Sequence, residues 1–169
     1  MSGHSKWSQI KHKKSLTDKK RGQVFSKLSR LITLAAKKGT DPKSNVSLAQ
    51  AIEQAKASNM PNDNIERAIH KVNDKKDVQL EELTIEALGP GGIALKIKVI
   101  TDSRNRTLAE IRTILSEHGS KMVQPGSIQW MFNLPPVVIS EADTMTQLEK
   151  LFESLDDQDE VEDVSSNLQ

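Results

Sequence analysis

Residues 83–99 read LTIEALGPGGIALKIKV, two runs of alternating apolar and polar side chains around a glycine-rich centre. An alternation with a period of two is typical of half-buried β-strands. The centre, Gly89-Pro90-Gly91-Gly92, places proline before glycine, which is the order of a type II turn. It lacks the spacing of a phosphate-binding loop, and a strand rather than a helix follows it. The stretch therefore predicts two strands joined by a tight hairpin.

After the hairpin, helical and strand periods alternate. A capping box at Thr107-x-x-Glu110 predicts the start of a helix that ends at Gly119. A strand is predicted next through Ile128, Trp130 and Phe132, with the indole in the core. It is followed by a short strand at 137–139 and by a helix whose inward residues are Met145, Leu148, Phe152 and Leu155. A last strand is predicted near 161–164. From residue 92 the order is β-α-β-β-α-β with one extra strand in front, which is a ferredoxin-like arrangement.

Before the hairpin the apolar residues recur with a helical period. One face of residues 16–38 carries Val24, Leu28, Leu31, Ile32 and Ala35, and Gly39 follows as a C-terminal cap. Shorter helices are predicted at 46–58 and after Pro61, where Asn62 or Asp63 can cap. We therefore expect an α+β protein, with a basic three- or four-helix domain over residues 1–75 and a ferredoxin-like domain with an acidic C-terminus over residues 76–169.

Composition excludes several classes of protein. The 169-residue chain is 36% hydrophobic and 28% charged, which is typical of soluble domains, and it has no cysteine, so disulfides and thiolate metal sites are excluded. No apolar run approaches the roughly 20 residues that span a bilayer, and the lysine-rich start lacks the apolar segment of a secretory signal. We expect a cytoplasmic protein without a membrane partner.

Charge is segregated along the chain although the net charge is only +1. Residues 1–38 contain eleven Lys and Arg against one acid, residues 39–134 contain twelve of each sign, and residues 135–169 contain one Lys against ten acids. Such segregation predicts one end that binds a polyanion and another that is solvated or meets a basic partner.

The cations between residues 16 and 38 are Lys19, Lys20, Arg21, Lys27, Arg30, Lys37 and Lys38. On the predicted helix, Lys19, Arg30 and Lys37 point away from the apolar stripe, Lys27 lies on its flank, and Ser26 and Thr33 lie between. A charged helix face is usually only solvated, but a face of one sign favours binding to nucleic acid.

The first fourteen residues, MSGHSKWSQIKHKK, place Trp7 among four lysines and two histidines. An indole beside cations can stack on a base while the cations bind phosphates. Alternatively, Trp7 and Ile10 anchor a short first helix on the bundle. Both interpretations stay open, because one face of the ring can pack while the other stacks.

Arg104 and Arg106 precede a predicted helix start, where two guanidinium groups and backbone N–H groups can hold an anion. Alternatively, Asp102 pairs with one of these arginines and shapes the turn. The sequence does not decide between the two.

Catalytic and metal sites are not predicted. His4 and His12 have no partner ligands in sequence, and His70 and His118 lie on separate predicted helices, whereas zinc needs three or four converging ligands. No motif of an activated nucleophile is present. The acids Asp156, Asp157, Asp159 and Glu160 are predicted to lie in a solvated loop. We expect no enzyme activity, no cofactor and no small-molecule substrate.

Several motifs, in order, resemble the YebC/PmpR family, which includes bacterial probable transcriptional regulatory proteins and mitochondrial translational activators of cytochrome oxidase. They are Gly3-His4-Ser5-Lys6-Trp7, Ile10-Lys11-His12-Lys13, Lys20-Arg21-Gly22, Phe25-x-Lys27-Leu28, residues 57–69 (AxNMPxDNIERAI), Gly89-Pro90-Gly91-Gly92, residues 101–107 (TDxRNRT) and residues 126–132 (GSIxWMF). Members are similar to this chain up to the Trp-Met-Phe strand and then carry an inserted third α/β domain. Since Asn133 leads almost directly to Val137, the resemblance implies a shortened, two-domain member.

The resemblance implies DNA binding and control of transcription. Some members are instead described as ribosome-associated factors that help translation through difficult stretches such as polyproline. The binding candidates that it carries over are His4, Lys6, Trp7, Lys11, His12, Lys13, Lys14 and Arg21. It implies no catalytic site, and since its first motif begins at residue 3, it favours a bacterial cytoplasm over import into mitochondria.

Three functions therefore remain as hypotheses. The chain binds duplex DNA as a transcription regulator, or it binds ribosomal RNA on the ribosome, or it is a protein–protein adaptor that uses its sheet and acidic tail. No recognition helix for base edges is evident, which on physical grounds favours structured RNA over sequence-specific DNA binding. The first hypothesis agrees best with the resemblance and the second is its alternative.

Overall fold

The computed structural model describes residues 18–75 and 79–169, which belong to two compact units. One unit contains the described residues up to 82 together with 100–103, and the other contains 83–99 and 104–169. The expected α+β class is confirmed, because helices come first and a unit of strands and helices follows. The expected domain boundary between residues 75 and 76 stays a prediction.

The first unit is built from three helices, α1 (Asp18–Ala36), α2 (Val46–Ala57) and α3 (Asn62–His70), followed by a 3-10 turn at Lys71–Asn73. Their apolar faces meet in one core, as the helical period predicted. Its buried residues are Ile32, Ala36, Leu48, Ala51, Ala55, Met60, Ile65 and Ala68. Small side chains make up half of this core, so the helices approach each other closely.

The caps of α2 and α3 differ in kind. Asn45 caps α2 with its side chain, which accepts a hydrogen bond from the Leu48 N–H at 3.1 Å. The expected cap at Asn62 or Asp63 is wrong: the position before α3 is Pro61, which has no side-chain cap bond. Its extended backbone, at φ −60° and ψ 143°, allows its carbonyl to accept from Asn64 and Ile65.

The second unit contains most of a sheet of four described strands, β1 (Glu81–Leu88), β2 (Ala94–Thr101), β3 (Lys121–Val123) and β4 (Val161–Ser166). Their order across the sheet is β3-β1-β2-β4. β1 is antiparallel to β3, with Glu86 opposite Val123, and β2 is antiparallel to β4, with Ile97 opposite Val164. β1, the extra strand expected before the ferredoxin-like β-α-β-β-α-β order, is thus one of the two central strands of the sheet.

Two helices, α4 (Arg104–Glu117) and α5 (Ala142–Asp157), pack on one face of this sheet. The alternation in residues 83–99 directs Ile85, Leu95 and Ile97 toward the helices, as expected. From the helices, Ile111, Leu115, Leu148 and Phe152 complete the core. The predicted hairpin turn is confirmed, since the Gly92 N–H donates to the Gly89 carbonyl at 3.1 Å and Gly91 has φ 71° and ψ 11°.

The strand predicted through Ile128, Trp130 and Phe132 is wrong. Gln129–Asn133 form a 3-10 helix, and residues 124–133, called the crossing segment below, lie over the sheet face opposite the helices. Over β1, the Gly126 N–H donates to the Glu86 carboxylate. Over β2, the Lys96 ammonium donates to Gln129 and lies 4.5 Å from the centre of the Phe132 ring. These contacts bury the Glu86 side chain, although Glu86 is one of the polar residues that alternate with apolar residues along β1.

The strand expected at 137–139 is reduced to one parallel bridge between Val137 and Leu168. Val137 donates to the Asn167 carbonyl at 2.7 Å and accepts from the Gln169 N–H at 2.9 Å. Pro135 and Pro136 lack N–H groups, so a longer ladder cannot extend backwards from this bridge. The final helix and strand agree with expectation.

The expected capping box is also wrong, because α4 begins at Arg104 and Thr107 lies inside the helix. Thr107 is fully buried, and its hydroxyl donates to the carboxylate of Glu160 rather than capping a helix end. Arg104 and Arg106 are therefore in the first turn of α4 and not in a loop.

Candidate nucleic-acid interface

The cations of α1 lie on the side of the helix that does not pack in the core. Ile32 and Ala36 are buried, and they mark the inner side. Spacings of 7 and 11 residues return to the same helix face, so Lys20 lies in line with Lys27, and Lys19 with Arg30. At 3.6 residues per turn, these four cations fall opposite the buried side, over a length of about 16 Å. The helix therefore presents a face of one sign, the α1 cationic face.

Exposure differs among these cations. Lys19 is exposed, whereas Lys20, Lys27 and Arg30 are half-buried. Long basic side chains commonly bury their methylenes while the charged head stays in water, so partial burial is compatible with binding phosphate.

Arg21 and Lys37, near this face, each contact a group of the same unit. Arg21 pairs with Asp18 one turn earlier, with 3.6 Å between Nη2 and Oδ1. Both side chains are exposed, and such pairs contribute little to stability, so a polyanion can compete for Arg21. Lys37, which was expected to point away from the apolar stripe like Lys19 and Arg30, donates a hydrogen bond to the carbonyl of Leu80.

Thr33 was expected among the cations and instead lies in the core at 2% exposure. Its hydroxyl donates at 2.9 Å to the Ser29 carbonyl and contacts the Ala68 carbonyl at 2.7 Å. A buried hydroxyl needs such acceptors, and only the neighbouring helix supplies the second one. The cationic face is therefore narrower than the sequence indicated.

Arg106 forms an ion pair with Glu160, the residue directly before β4. Neither open alternative for this turn included Glu160. The expectation that Glu160 belongs to a solvated loop is wrong, since Glu160 is 8% exposed and also accepts from Thr107. Arg104 is exposed, and its part in anion binding stays a prediction, as does that of Arg106.

Seven of the predicted binding residues lie outside the described residues. They are His4, Lys6, Trp7, Lys11, His12, Lys13 and Lys14. Their proposed contacts with phosphates and bases rest on the sequence alone, and so does the choice between stacking and anchoring for Trp7.

The position of Trp130 differs from the one that the sequence predicted. It was expected in the core, but it is 60% exposed in the crossing segment. Its indole Nε1–H donates to the Ser127 carbonyl at 3.0 Å. Pro125 and Gly126, the latter with φ +87°, are the local signals of a turn that would interrupt a strand here.

Histidines and acids are not gathered into a metal centre in the described part of the chain. Within residues 18–75 and 79–169, no three His, Cys, Asp or Glu side chains are grouped to hold a metal ion. His118 instead joins two helices, with Nδ1 2.9 Å from the Ile114 carbonyl and Nε2 3.1 Å from the Ser154 hydroxyl. Over the same described residues, no helix has the length and apolar character needed to cross a membrane.

Two family models match the chain. The model described as the TACO1/YebC protein N-terminal domain matches residues 5–75, and the model described as the TACO1/YebC second and third domain matches residues 80–140. The chain belongs to the TACO1/YebC family. The expected resemblance is thus confirmed.

Curated relatives carry the name "Probable transcriptional regulatory protein". One from Halothermothrix orenii is 52% identical over 134 residues, which are 78% of this chain and 53% of that protein. One from Desulforamulus reducens is 51% identical over 141 residues, which are 82% of this chain and 58% of that protein. One from Geobacter sulfurreducens is 46% identical over 156 residues, which are 91% of this chain and 62% of that protein. The chain thus spans between about half and three fifths of the length of these relatives.

A solved structure has the same fold. The crystal structure of the conserved hypothetical protein Aq1575 from Aquifex aeolicus matches with a TM-score of 0.85 and 28% identity, over 96% of each chain. The relatives are named as regulatory proteins and not as enzymes.

Proposed function

We propose that this chain is a non-enzymatic, nucleic-acid-binding regulator of gene expression that acts in transcription in the cytoplasm. The observation that carries the proposal is the α1 cationic face, where Lys19, Lys20, Lys27 and Arg30 share one side of a helix whose other side is buried. The names of the relatives agree with regulation of transcription.

The physical basis of binding is neutralisation of phosphates. Each Lys or Arg that contacts a phosphate releases condensed counterions, which gives an affinity that falls steeply with salt and depends little on sequence. Residues 1–17 add Lys6, Lys11, Lys13 and Lys14 without any acid, and Trp7 adds stacking on a base. The acidic residues 135–169 oppose binding of polyanions elsewhere on the chain.

The experiment compares affinity for a duplex DNA and for a structured RNA of equal phosphate number, by fluorescence anisotropy from 50 to 300 mM salt. The test variant changes Lys19, Lys20, Lys27 and Arg30 to Ala. The matched control changes Lys43, Lys56, Lys71 and Lys75 to Ala, which removes four exposed charges elsewhere on the same unit. Because each lost phosphate contact lowers the slope of log affinity against log salt by about 0.9 for duplex DNA, we expect the test variant to lose about 2–4 in slope.

Equal losses in the test and control variants would reject the α1 cationic face, since net charge alone would then account for binding. The relative affinity for DNA and RNA decides between the transcription function and its ribosomal RNA alternative. A second variant changes Lys6, Lys11, Lys13 and Lys14 to Ala. We expect it to abolish affinity while the melting temperature is unchanged, and surviving affinity would show that residues 1–17 are not part of the interface.

A further inference from the structure

The four cations of the α1 cationic face form two pairs. Lys19 and Lys20 lie in the first turn of α1, and Lys27 and Arg30 lie two to three turns further along. The midpoints of the pairs are nine residues apart, which is about 13 Å along the helix axis. Residues 22–26, between the pairs, carry no charge. The face therefore consists of two cationic patches with an uncharged gap between them.

The part of α1 that bears these cations is the part that its own unit covers least. The buried residues of α1 lie in its last five positions and are Ile32, Thr33 and Ala36. No residue from 18 to 31 is buried, and Phe25 and Leu28 pack on the core only in part. A recognition helix was not evident from the sequence, because this difference in burial depends on how α2 and α3 pack on α1.

Gln23 lies in the centre of the uncharged gap. It is four residues after Lys19, four before Lys27 and seven before Arg30, so it shares their side of the helix. Gln23 is half-buried, and its side chain forms no hydrogen bond within residues 18–75 and 79–169. Because a glutamine amide carries both donor hydrogens and an acceptor oxygen, it can make two hydrogen bonds to one ligand.

The spacing of the cation pairs matches one groove of double-stranded DNA. The major groove of B-form DNA is about 12 Å wide and admits an α-helix, whereas the minor groove is about 6 Å wide. The major groove of an RNA duplex is too deep and narrow for side chains to read. In the B-form major groove, cations about 13 Å apart along a helix meet phosphates of the two strands, and a residue between them faces the base edges.

Glutamine has a specific partner in this groove. Adenine presents there the N7 acceptor and the N6 amino donor, and a glutamine amide pairs with both. Contacts of lysine and arginine with phosphates fix the position of a helix but carry no sequence information. Gln23 is therefore placed to distinguish base pairs while the cations on either side hold the helix.

We propose that residues 18–31 of α1 enter the major groove of B-form DNA, where the two cation pairs contact phosphates of opposite strands and Gln23 hydrogen-bonds to adenine. This inference rests on the proposed nucleic-acid binding, and it adds the groove, the form of the duplex and the residue that reads a base. The cation pairs account for the salt dependence of the affinity, and Gln23 adds a preference that does not depend on salt.

The first experiment removes the acceptor that Gln23 uses. Fluorescence anisotropy compares two 16-base-pair DNA duplexes of the same mixed sequence, one with adenine and one with 7-deazaadenine, which lacks N7 but keeps the charge and the Watson–Crick pairing. We expect the full chain to bind the adenine duplex at least three-fold more tightly. Gln23→Ala should bind both duplexes equally, with an unchanged slope of log affinity against log salt. Gln50→Ala, which removes an exposed glutamine of α2, is the matched control and should keep the preference.

The second experiment tests the groove. The probes are the adenine duplex, an RNA duplex of the same sequence and a single DNA strand with the same number of phosphates. We expect the DNA duplex to bind at least ten-fold more tightly than either of the others at 150 mM salt. Lys19 and Lys20 changed together to Ala, and Lys27 and Arg30 changed together to Ala, should each lower the salt slope by about 1–2, because each pair contacts its own strand.

Two results would overturn the proposal and leave nucleic-acid binding intact. One is equal binding of the adenine and 7-deazaadenine duplexes by the unchanged chain, which would show that Gln23 does not contact adenine. The other is binding of the RNA duplex or the single strand as tight as that of the DNA duplex, which would show that α1 does not enter the major groove. Absence of binding to every probe at 50 mM salt would overturn the proposed function and this inference together.

Discussion

Arg106 and Glu160 form an ion pair that links the first turn of α4 to the residue before β4, across 54 positions of sequence. The Glu160 side chain is 10% exposed and its other oxygen accepts from the buried Thr107 hydroxyl, whereas the Arg106 side chain is 48% exposed. The sequence presented Arg106 as a candidate for anion binding and Glu160 as a solvent-exposed acid. The structure pairs the two with each other.

We predict that Arg106→Ala lowers the free energy of unfolding by about 1–2 kcal/mol, because it removes a charged partner from a largely buried carboxylate. Urea denaturation followed by circular dichroism measures this loss. Arg104→Ala, which changes an exposed arginine two residues away, is the control and should leave stability unchanged. Equal stability of the two variants would mean that the ion pair does not form in solution.

Asn45 connects three backbone groups through one side chain. It accepts from Leu48 N–H, and its amide donates at 2.8 Å to the carbonyls of Ala35 and Gly39. We predict that Asn45→Ala lowers the free energy of unfolding by about 2–3 kcal/mol, since it removes a helix cap and two further hydrogen bonds. Asn45→Ser keeps a cap acceptor and loses the donors, so its loss should be smaller. Thermal melts of both variants check the order.

Gly91 and Gly92 have φ values of +71° and +73°. Any other residue would therefore be strained to nearly the same degree at either position. A Cβ on Gly91 would lie 2.9 Å from Ile139 Cδ1 and 3.1 Å from Thr144 Cγ2, whereas a Cβ on Gly92 meets nothing within 4 Å. We predict that Gly91→Ala costs about 1 kcal/mol more than Gly92→Ala, because of this crowding. Adding Ile139→Val should reduce the difference in chemical denaturation. An unchanged difference would assign the cost to the turn itself.

Much of the fold follows from periods in the sequence. Apolar residues at helical spacing located α1, α2 and α3, and the alternation in residues 83–99 located β1, β2 and the turn between them. The α1 cationic face was predictable for the same reason, because spacings of 7 and 11 residues put Lys19 with Arg30, and Lys20 with Lys27, on one side.

Tertiary contacts decided the rest. Alternation at residues 128–132 shows that neighbouring side chains face different surroundings, but it does not say whether a second strand is beside them. The bond from Gly126 to Glu86, 40 residues away, places this segment across the sheet and turns Trp130 outward. Thr33 is buried for a similar reason, since its second acceptor is the Ala68 carbonyl, 35 residues away. The sequence by itself determined the helices, the hairpin and the segregation of charge, because these depend on neighbours along the chain. Only the tertiary structure decided which polar groups are buried and which aromatic ring is exposed, because each depends on a partner distant in sequence.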